Sequence, residues 1–367
     1  MKNVKLFATT ILTLAATLAS AQVVIKTDAG DLKLRLIGRT NFDAATYFGG
    51  DEGKNANDHY INGMVMNDTR LGVVANFDEK WNAKAEICYA NKSISFRDLY
   101  IGRKFNDNSS IQIGNFFMPF GSKILGLQYK FVEDATVDYA FCPSRKIGVG
   151  YFYTSDAFNF TGGFFSDGNV DSKAVNQGYT VAAKAIVRPI SDDNTILHIG
   201  IAPMFTDSPN MTSFTGIAPT TIHTNSIISS GSINAINYWR YEAEAIFISG
   251  KFYAEMHYQG ASINTPTSDN YKANGVYAQA SFLIKGEKQN YNKKTGLAAS
   301  ASPKSLEVLA RYDFLNLNDD AKLNDVTIGV NYFINKNLNV KFNYAYGKQK
   351  DADEGYSFIQ GRLQFSF

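Results

Sequence analysis

Apart from an N-terminal leader, this chain has no long apolar run. No later segment approaches the ~18 consecutive apolar residues of a membrane-spanning helix, and mean hydropathy is −0.20. A helical membrane protein is therefore excluded. Cysteine is nearly absent: Cys88 and Cys142 are the only two, which rules out a disulfide framework and leaves room for one bridge. Histidine is sparse as well, at His59, His198, His223 and His257. None sits in an H-E-x-x-H or Cys/His spacing, so the sequence supports neither a metal site nor a cofactor. Glycine-rich pieces near 48–50 and 161–163 lack the strand–loop–helix context of a phosphate loop and read as turns or strand kinks. An excess of one charge is missing too. Formal net charge is +2, and two of the lysines, Lys2 and Lys5, belong to the leader. The balanced remainder offers nothing for a nucleic acid, and any charge selectivity must come from placement.

What the chain does have is alternation. Its last residues show it best. Ser357, Ile359, Gly361, Leu363, Phe365 and Phe367 share one side of an extended strand, and Gln360, Arg362, Gln364 and Ser366 the other. A soluble strand rarely ends on a large apolar residue at its frayed tip. A transmembrane barrel can, because its outer face meets lipid and closure pairs the last strand with the first. A strand ending on Phe also resembles the signal read by the outer-membrane barrel-assembly machinery. The N-terminus agrees. Lys2 and Lys5 precede an apolar run from Leu6 to Leu18, and Ala19-Ser20-Ala21 is an A-x-A cleavage site. Residues 1–21 are expected to be a signal peptide, and 22–367 an outer-membrane β-barrel domain.

Sixteen segments alternate over the length a tilted membrane strand needs. They lie near 32–47, 64–77, 81–90, 94–105, 109–117, 145–154, 157–166, 178–188, 195–206, 236–248, 251–261, 274–285, 305–315, 323–334, 338–348 and 356–367. Short Asn/Asp/Gly-rich turns follow even-numbered strands, as periplasmic turns do, and longer polar links follow odd ones. Two links break this rule. Residues 91–93 are short where an outer loop is expected, and 286–304 are long where a turn is expected. The expected fold is all-β: a 16-stranded antiparallel transmembrane β-barrel. Abundant Phe and Tyr fit its lipid-facing wall and interfacial girdles.

Charge assigns the faces. In the first strand Leu32, Leu34, Leu36 and Phe42 oppose Lys33, Arg35, Arg39 and Asp43. A charge on the lipid side at the midplane costs about 2–4 kcal/mol, so the charged side must be the lumen. The same logic points Arg70, Lys84, Glu86, Lys184, Arg188, Arg240, Glu242, Glu244, Arg311, Lys341 and Arg362 inward. Asp68, Asp98, Glu255, Glu307 and Asp313 join them, leaving a modest basic excess. The fourth strand misfits. Arg97 and Arg103 share parity with Leu99 and Ile101, which either a bulge or snorkelling would explain.

Several motifs now resemble one family. Gly114-Asn115-Phe116-Phe117-Met118-Pro119-Phe120-Gly121 is similar to the G-x-F-x-x-P-F-G signature of the phosphate-selective porin O and P family. Residues Phe131 to Asp134 and Pro143-Ser144-Arg145-Lys146-Ile147-Gly148 resemble its third-loop elements. Tyr277 to Glu287, Ala310 to Asp319, and Gly329 to Phe333 resemble later segments in the same order. The resemblance implies a homotrimeric porin whose third loop folds into the lumen and constricts the pore. It would place Phe117, Pro119, Phe120, Lys123, Lys130 and Arg145 at that constriction. Some members select anions through basic residues along the pore. Here the loop carries Glu133, Asp134 and Asp138 beside its lysines.

The expected function is a passive outer-membrane diffusion channel for small hydrophilic solutes, with weak anion preference and no enzymatic activity. Its partners would be outer-membrane lipid, small anions and other solutes. The alternatives are a channel specific for an anion or oligosaccharide, a plugged structural or adhesive barrel, and a hydrolase built inside a barrel. Phe116, Phe117 and Phe120 would suit stacked sugars, although packing the loop against the wall explains them as well. His257 faces inward without a positioned nucleophile, so it reads as a polar wall residue. Cys88 is predicted inward and Cys142 ends the loop that the resemblance folds inward. A bridge between them, closing about 50 residues, would be worth about 4 kcal/mol in the chain-entropy model. Two unbridged thiols are the competing reading, because a bridge needs Cα atoms within about 7 Å.

Overall fold

The computed structural model describes residues 22–27, 30–90, 93–122, 130–172, 177–207, 211–222, 226–267, 270–318, 321–350 and 355–367. Sixteen antiparallel strands close into a barrel. In chain order they are β1 Gly30–Gly49, β2 Asn62–Phe77, β3 Trp81–Ala90, β4 Ser93–Lys104, β5 Ser109–Phe117, β6 Arg145–Thr154, β7 Phe158–Ser166 and β8 Tyr179–Ser191. Then follow β9 Thr195–Asp207, β10 Asn237–Ser249, β11 Phe252–Asn264, β12 Tyr271–Lys285, β13 Ser305–Leu317, β14 Lys322–Phe333, β15 Leu338–Gln349 and β16 Gly355–Ser366. Every expected segment is a strand. The expected leader, residues 1–21, lies outside the described residues.

Neighbouring strands pair in sequence order, and β16 closes onto β1 from Arg39↔Ser366 to Gly49↔Ser357. Closure leaves the barrel strands without an edge, so their backbone groups are satisfied by each other. An additional strand, Gln22–Thr27, folds back on the start of β1 and pairs Gln22 with Arg35. At the seam Phe367 exchanges two backbone hydrogen bonds with Gly38, of 3.0 and 2.9 Å, and its ring covers that glycine. The terminal aromatic therefore completes the wall.

Alternation sets the two faces. On β10, Trp239, Tyr241 and Phe247 are exposed outward, while Tyr238, Glu242, Glu244 and Ile246 are buried inside. Two bulges shift this parity. In β2, Asp68 and Thr69 together oppose Thr40 of β1, so the outward set changes from Met64 and Met66 to Leu71 and Val73. In β4, Arg97 and Asp98 together oppose Glu86 of β3, and the outward set changes from Ile94 and Phe96 to Leu99 and Ile101. An extra residue bends a strand and re-aims its side chains. This settles the misfit of β4, where both explanations hold, each for one residue. The bulge turns Arg97 inward. Arg103 stays outside near the end of the strand, its guanidinium 5.2 Å from the Trp81 ring.

The end carrying both termini has mostly tight turns. In one, the Asn106 side chain accepts hydrogen bonds from the backbone of Asn108 and Ser109, the usual use of Asn at a turn. Three longer connections bond to the inward face. From the opposite end come the third loop, 118–144, with the short helix α1 Thr136–Phe141, and a later loop, 208–236. From the terminus end comes 286–304, the link that the turn rule left unexplained. It forms a hairpin, Asn290–Asn292 against Leu297–Ala299, and its Leu297 and Ala298 are buried.

Candidate functional site

The lumen wall from β1 to β6 carries a ladder of charges that alternate in sign. It begins at Arg39, bonded to Asp68. Asp68 also accepts from Arg70 at 2.5 Å, and Arg70 lies 3.5 Å from Glu86. Lys84 joins Glu86 at 3.4 Å and Asp98 at 2.6 Å, and Asp98 accepts from Arg145 Nε at 2.6 Å. Arg97 adds a fifth cation, its Nη2 donating to Cys88 Sγ at 3.4 Å. The bonds run within strands, as Asp68–Arg70 and Lys84–Glu86 do, or between strands of the wall, so the ladder needs no loop to hold it. Its centre is partly accessible: Lys84 and Asp98 keep 18 % and 17 % of their side-chain surface exposed. Arg145 closes the ladder against the face of Phe117, 3.9 Å away.

The opposite wall, β9 to β16, bonds across to the inward-turned segments. Arg362 of β16 forms a two-pronged pair with Asp43 of β1, at 2.7 and 2.8 Å, and also binds Glu133 and the Val132 carbonyl of the third loop. Lys130 of the loop donates to Glu307 at 2.6 Å, to Gln289 and to Ser281. Arg311 holds the Glu133 and Asp134 carbonyls, and Lys341 the Phe131 carbonyl. These groups are almost wholly buried, with Arg362 and Asp43 both at 0 % side-chain exposure. A cavity of ≈ 60 Å³ remains between loop and wall, lined in part by Lys130, Glu133, Asp138, Glu255 and Arg311. Tyr139 of α1 donates to Glu133, and burial beside that carboxylate pushes its hydroxyl well above the usual tyrosine range.

The motif glycine Gly121 shows why its sequence is so written. Its φ is +72°, and a Cβ there would lie 1.9 Å from Cys142 Sγ. Its N–H donates to Glu242 at 2.8 Å, and its carbonyl accepts from Lys184 at 3.2 Å. Around that contact Lys184 bonds Glu244 at 2.7 Å, and His257 bonds Glu242 at 2.7 Å and stacks on Tyr277 with centroids 4.7 Å apart. His198 joins Glu244 at 3.0 Å on one nitrogen and the hydroxyl of Tyr291, in the terminus-end hairpin, at 2.9 Å on the other. Burial raises the Tyr291 hydroxyl above its ordinary range. One polar network thus ties the third loop and the hairpin to the same wall.

The residues singled out from sequence divide between these two walls. Arg39, Arg70, Lys84 and Arg145 form the ladder. Arg311, Lys341 and Arg362 face inward beneath the third loop, and Arg240 packs near Phe214 of the later loop, 5.5 Å from that ring. Lys33 is half-buried and Arg35 exposed at the terminus end, apart from both groups. Pro119 and Phe120 are buried, whereas Lys123 lies outside the described residues. Phe116 of β5 packs on Tyr100, Phe152 and Phe165 of neighbouring strands, which favours packing within the wall over sugar stacking. The suggested bridge does not form. Cys88 sits on β3 near Asp68 and Arg97, whereas Cys142 lies beside Asp138 and Gln259 of β11, so different walls hold the two thiols. Alternation alone left Arg97 unassigned, and the break in parity was its only signal.

The family model for phosphate-selective porin O and P matches residues 35–367. An uncharacterized protein of Caulobacter vibrioides is 26 % identical over 215 residues, which is 52 % of this chain, and the chain spans 42 % of that relative's length. An anion-selective porin from Comamonas acidovorans superposes with a TM-score of 0.63 at 14 % identity, over 92 % of this chain and 100 % of that one. The trimer form of OmpT, an outer membrane protein of Vibrio cholerae, superposes with a TM-score of 0.60 at 13 % identity, over 92 % of this chain and 99 % of that one. Such low identities speak for the fold. The family match adds membership, running from β1 through the third loop to Phe367: this chain belongs to the phosphate-selective porin O and P family of outer-membrane barrels.

Proposed function

We propose that this chain is a passive diffusion channel of the Gram-negative outer membrane. It admits small hydrophilic solutes with weak anion preference and catalyses nothing. The observation that carries this reading is the partly accessible charge ladder on the inner wall of a closed sixteen-stranded barrel. Sixteen strands enclose a lumen wide enough for water, and flux down a gradient needs no cofactor. The third loop, bonded to the far wall, narrows the passage toward the ladder. Five cations there, Arg39, Arg70, Lys84, Arg97 and Arg145, face three carboxylates, Asp68, Glu86 and Asp98. The excess is small, and physiological salt screens it over about 8–10 Å. Residues 1–21 serve as the cleaved signal peptide, the barrel-assembly machinery inserts the product, and the assembled form is a homotrimer.

The test is reconstitution in a planar bilayer. Stepwise conductance in threefold units, with a reversal potential in a KCl gradient slightly on the chloride side, is the expected result. No conductance would overturn the channel reading in favour of a plugged barrel. A cation-selective potential would overturn the charge assignment.

A further inference from the structure

We infer that Asp68 and Asp98 are the residues that set this channel's selectivity: they are bulge-borne charges that mask a basic wall. The inference rests on the diffusion-channel reading and deepens it. Three observations carry it. First, each aspartate enters the lumen at a bulge, and these are the two register shifts among the strand pairs from β1 to β6. Glu86, the third carboxylate, arrives by ordinary alternation on β3. Second, each sits between two cations. Asp68 lies between Arg39 and Arg70, and Asp98 between Lys84 and Arg145, both 2.6 Å away. Third, Asp68 holds φ at +57°, a conformation uncommon for a residue with a side chain. Uncommon backbone is retained where the surroundings require it, and it gathers at functional sites.

The consequence is electrostatic. Without the two aspartates the wall would present five cations and a single carboxylate across neighbouring strands, a continuous basic track. With them, Arg39, Arg70, Lys84 and Arg145 are each paired with a carboxylate, and a passing anion meets mostly dipoles with a small net positive charge. The bulges therefore act as a selectivity setting: one residue inserted per strand, an acid each time, opposite the loop that narrows the passage.

Asp68→Asn and Asp98→Asn keep the size and one acceptor oxygen and remove the charge. Each single variant should raise the chloride-to-potassium permeability ratio roughly twofold, the effect of one unit charge about 8 Å away through water, opposite in sign on the two ions and cut to about a third by salt screening. The double variant should raise it further, and Asp192→Asn, in a turn at the terminus end, should leave it unchanged. The same bilayer records separate the two levels of the argument. If wild type does not conduct, the channel reading fails and this inference falls with it. If wild type conducts and the variants conduct with an unchanged ratio, the aspartates only satisfy their arginines and the inference alone is overturned. If wild type conducts and neither single variant yields folded, heat-modifiable channels, the carboxylates serve folding, and the inference is overturned as well.

Discussion

The two halves of the lumen wall use the same side chains to opposite ends. From β1 to β6 the ion pairs run along the wall, and Lys84 and Asp98 keep about a sixth of their surface in contact with solvent. From β9 to β16 the polar groups also bond across to the third loop and the terminus-end hairpin, and Arg362, its β1 partner Asp43, Glu242 and Glu244 keep none. Exposed pairs contribute little to stability, typically below about 1 kcal/mol. A buried pair costs desolvation to form but far more to break, because the survivor is left charged and unsolvated. The barrel thus has one wall whose charges pair within the wall, with Lys84 and Asp98 partly open to solvent, and another whose charges also hold the third loop. Residue type alone does not distinguish them. The direction of the bond does.

The sharpest way to break this contrast is Arg362→Ala. It strands Asp43 and Glu133 together in a buried place, and a loss of about 3–5 kcal/mol is expected. Denaturant unfolding in detergent, followed by tryptophan fluorescence, reads it. A loss below 1 kcal/mol would mean that the sealed wall is not sealed. Gly121→Ala attacks the same wall from the loop side. The left-handed backbone and the encounter with Cys142 should cost about 1–3 kcal/mol. Because the loop loses its seat on Glu242, single-channel conductance should rise. Unaltered conductance would show that the loop's seat on Glu242 does not limit the passage.

Phe367→Asp probes the seam, which both walls share. A charge near the membrane interface costs about 0–1 kcal/mol by itself, and loss of the ring uncovers Gly38. Less folded barrel should reach the outer membrane, visible as a weaker heat-modifiable band. A band of wild-type strength would show that closure does not depend on the terminal aromatic. The smallest effect on stability belongs to the open wall. Lys84→Ala should change stability by less than about 1 kcal/mol while moving the reversal potential toward potassium. A large loss of stability there would erase the distinction between the two walls.

Much of this was legible in the sequence. Alternation placed all sixteen strands, since side-chain direction in a strand is a local property with a period of two. The cost of charge against lipid then fixed which side faces in, and β10 with Glu242 and Glu244 shows how directly that works. The family's motif located Gly121. The over-long link at 286–304 signalled that something other than a turn was there. What the sequence could not supply was pairing across the lumen. Whether Arg70 meets Asp68 or Lys130 meets Glu307 depends on strand register, on two bulges and on where a loop comes to rest, and these are set by contacts between residues far apart in the chain. The bulges show the limit most plainly. A break in parity at Arg97 is visible in one dimension, but its resolution needed the neighbouring strand, because a bulge is defined by two residues opposing one. Sequence alone therefore determined a closed barrel with a charged interior. Only the tertiary structure decided which of those charges pair along the wall and which hold the third loop, because that depends on bonds made through space.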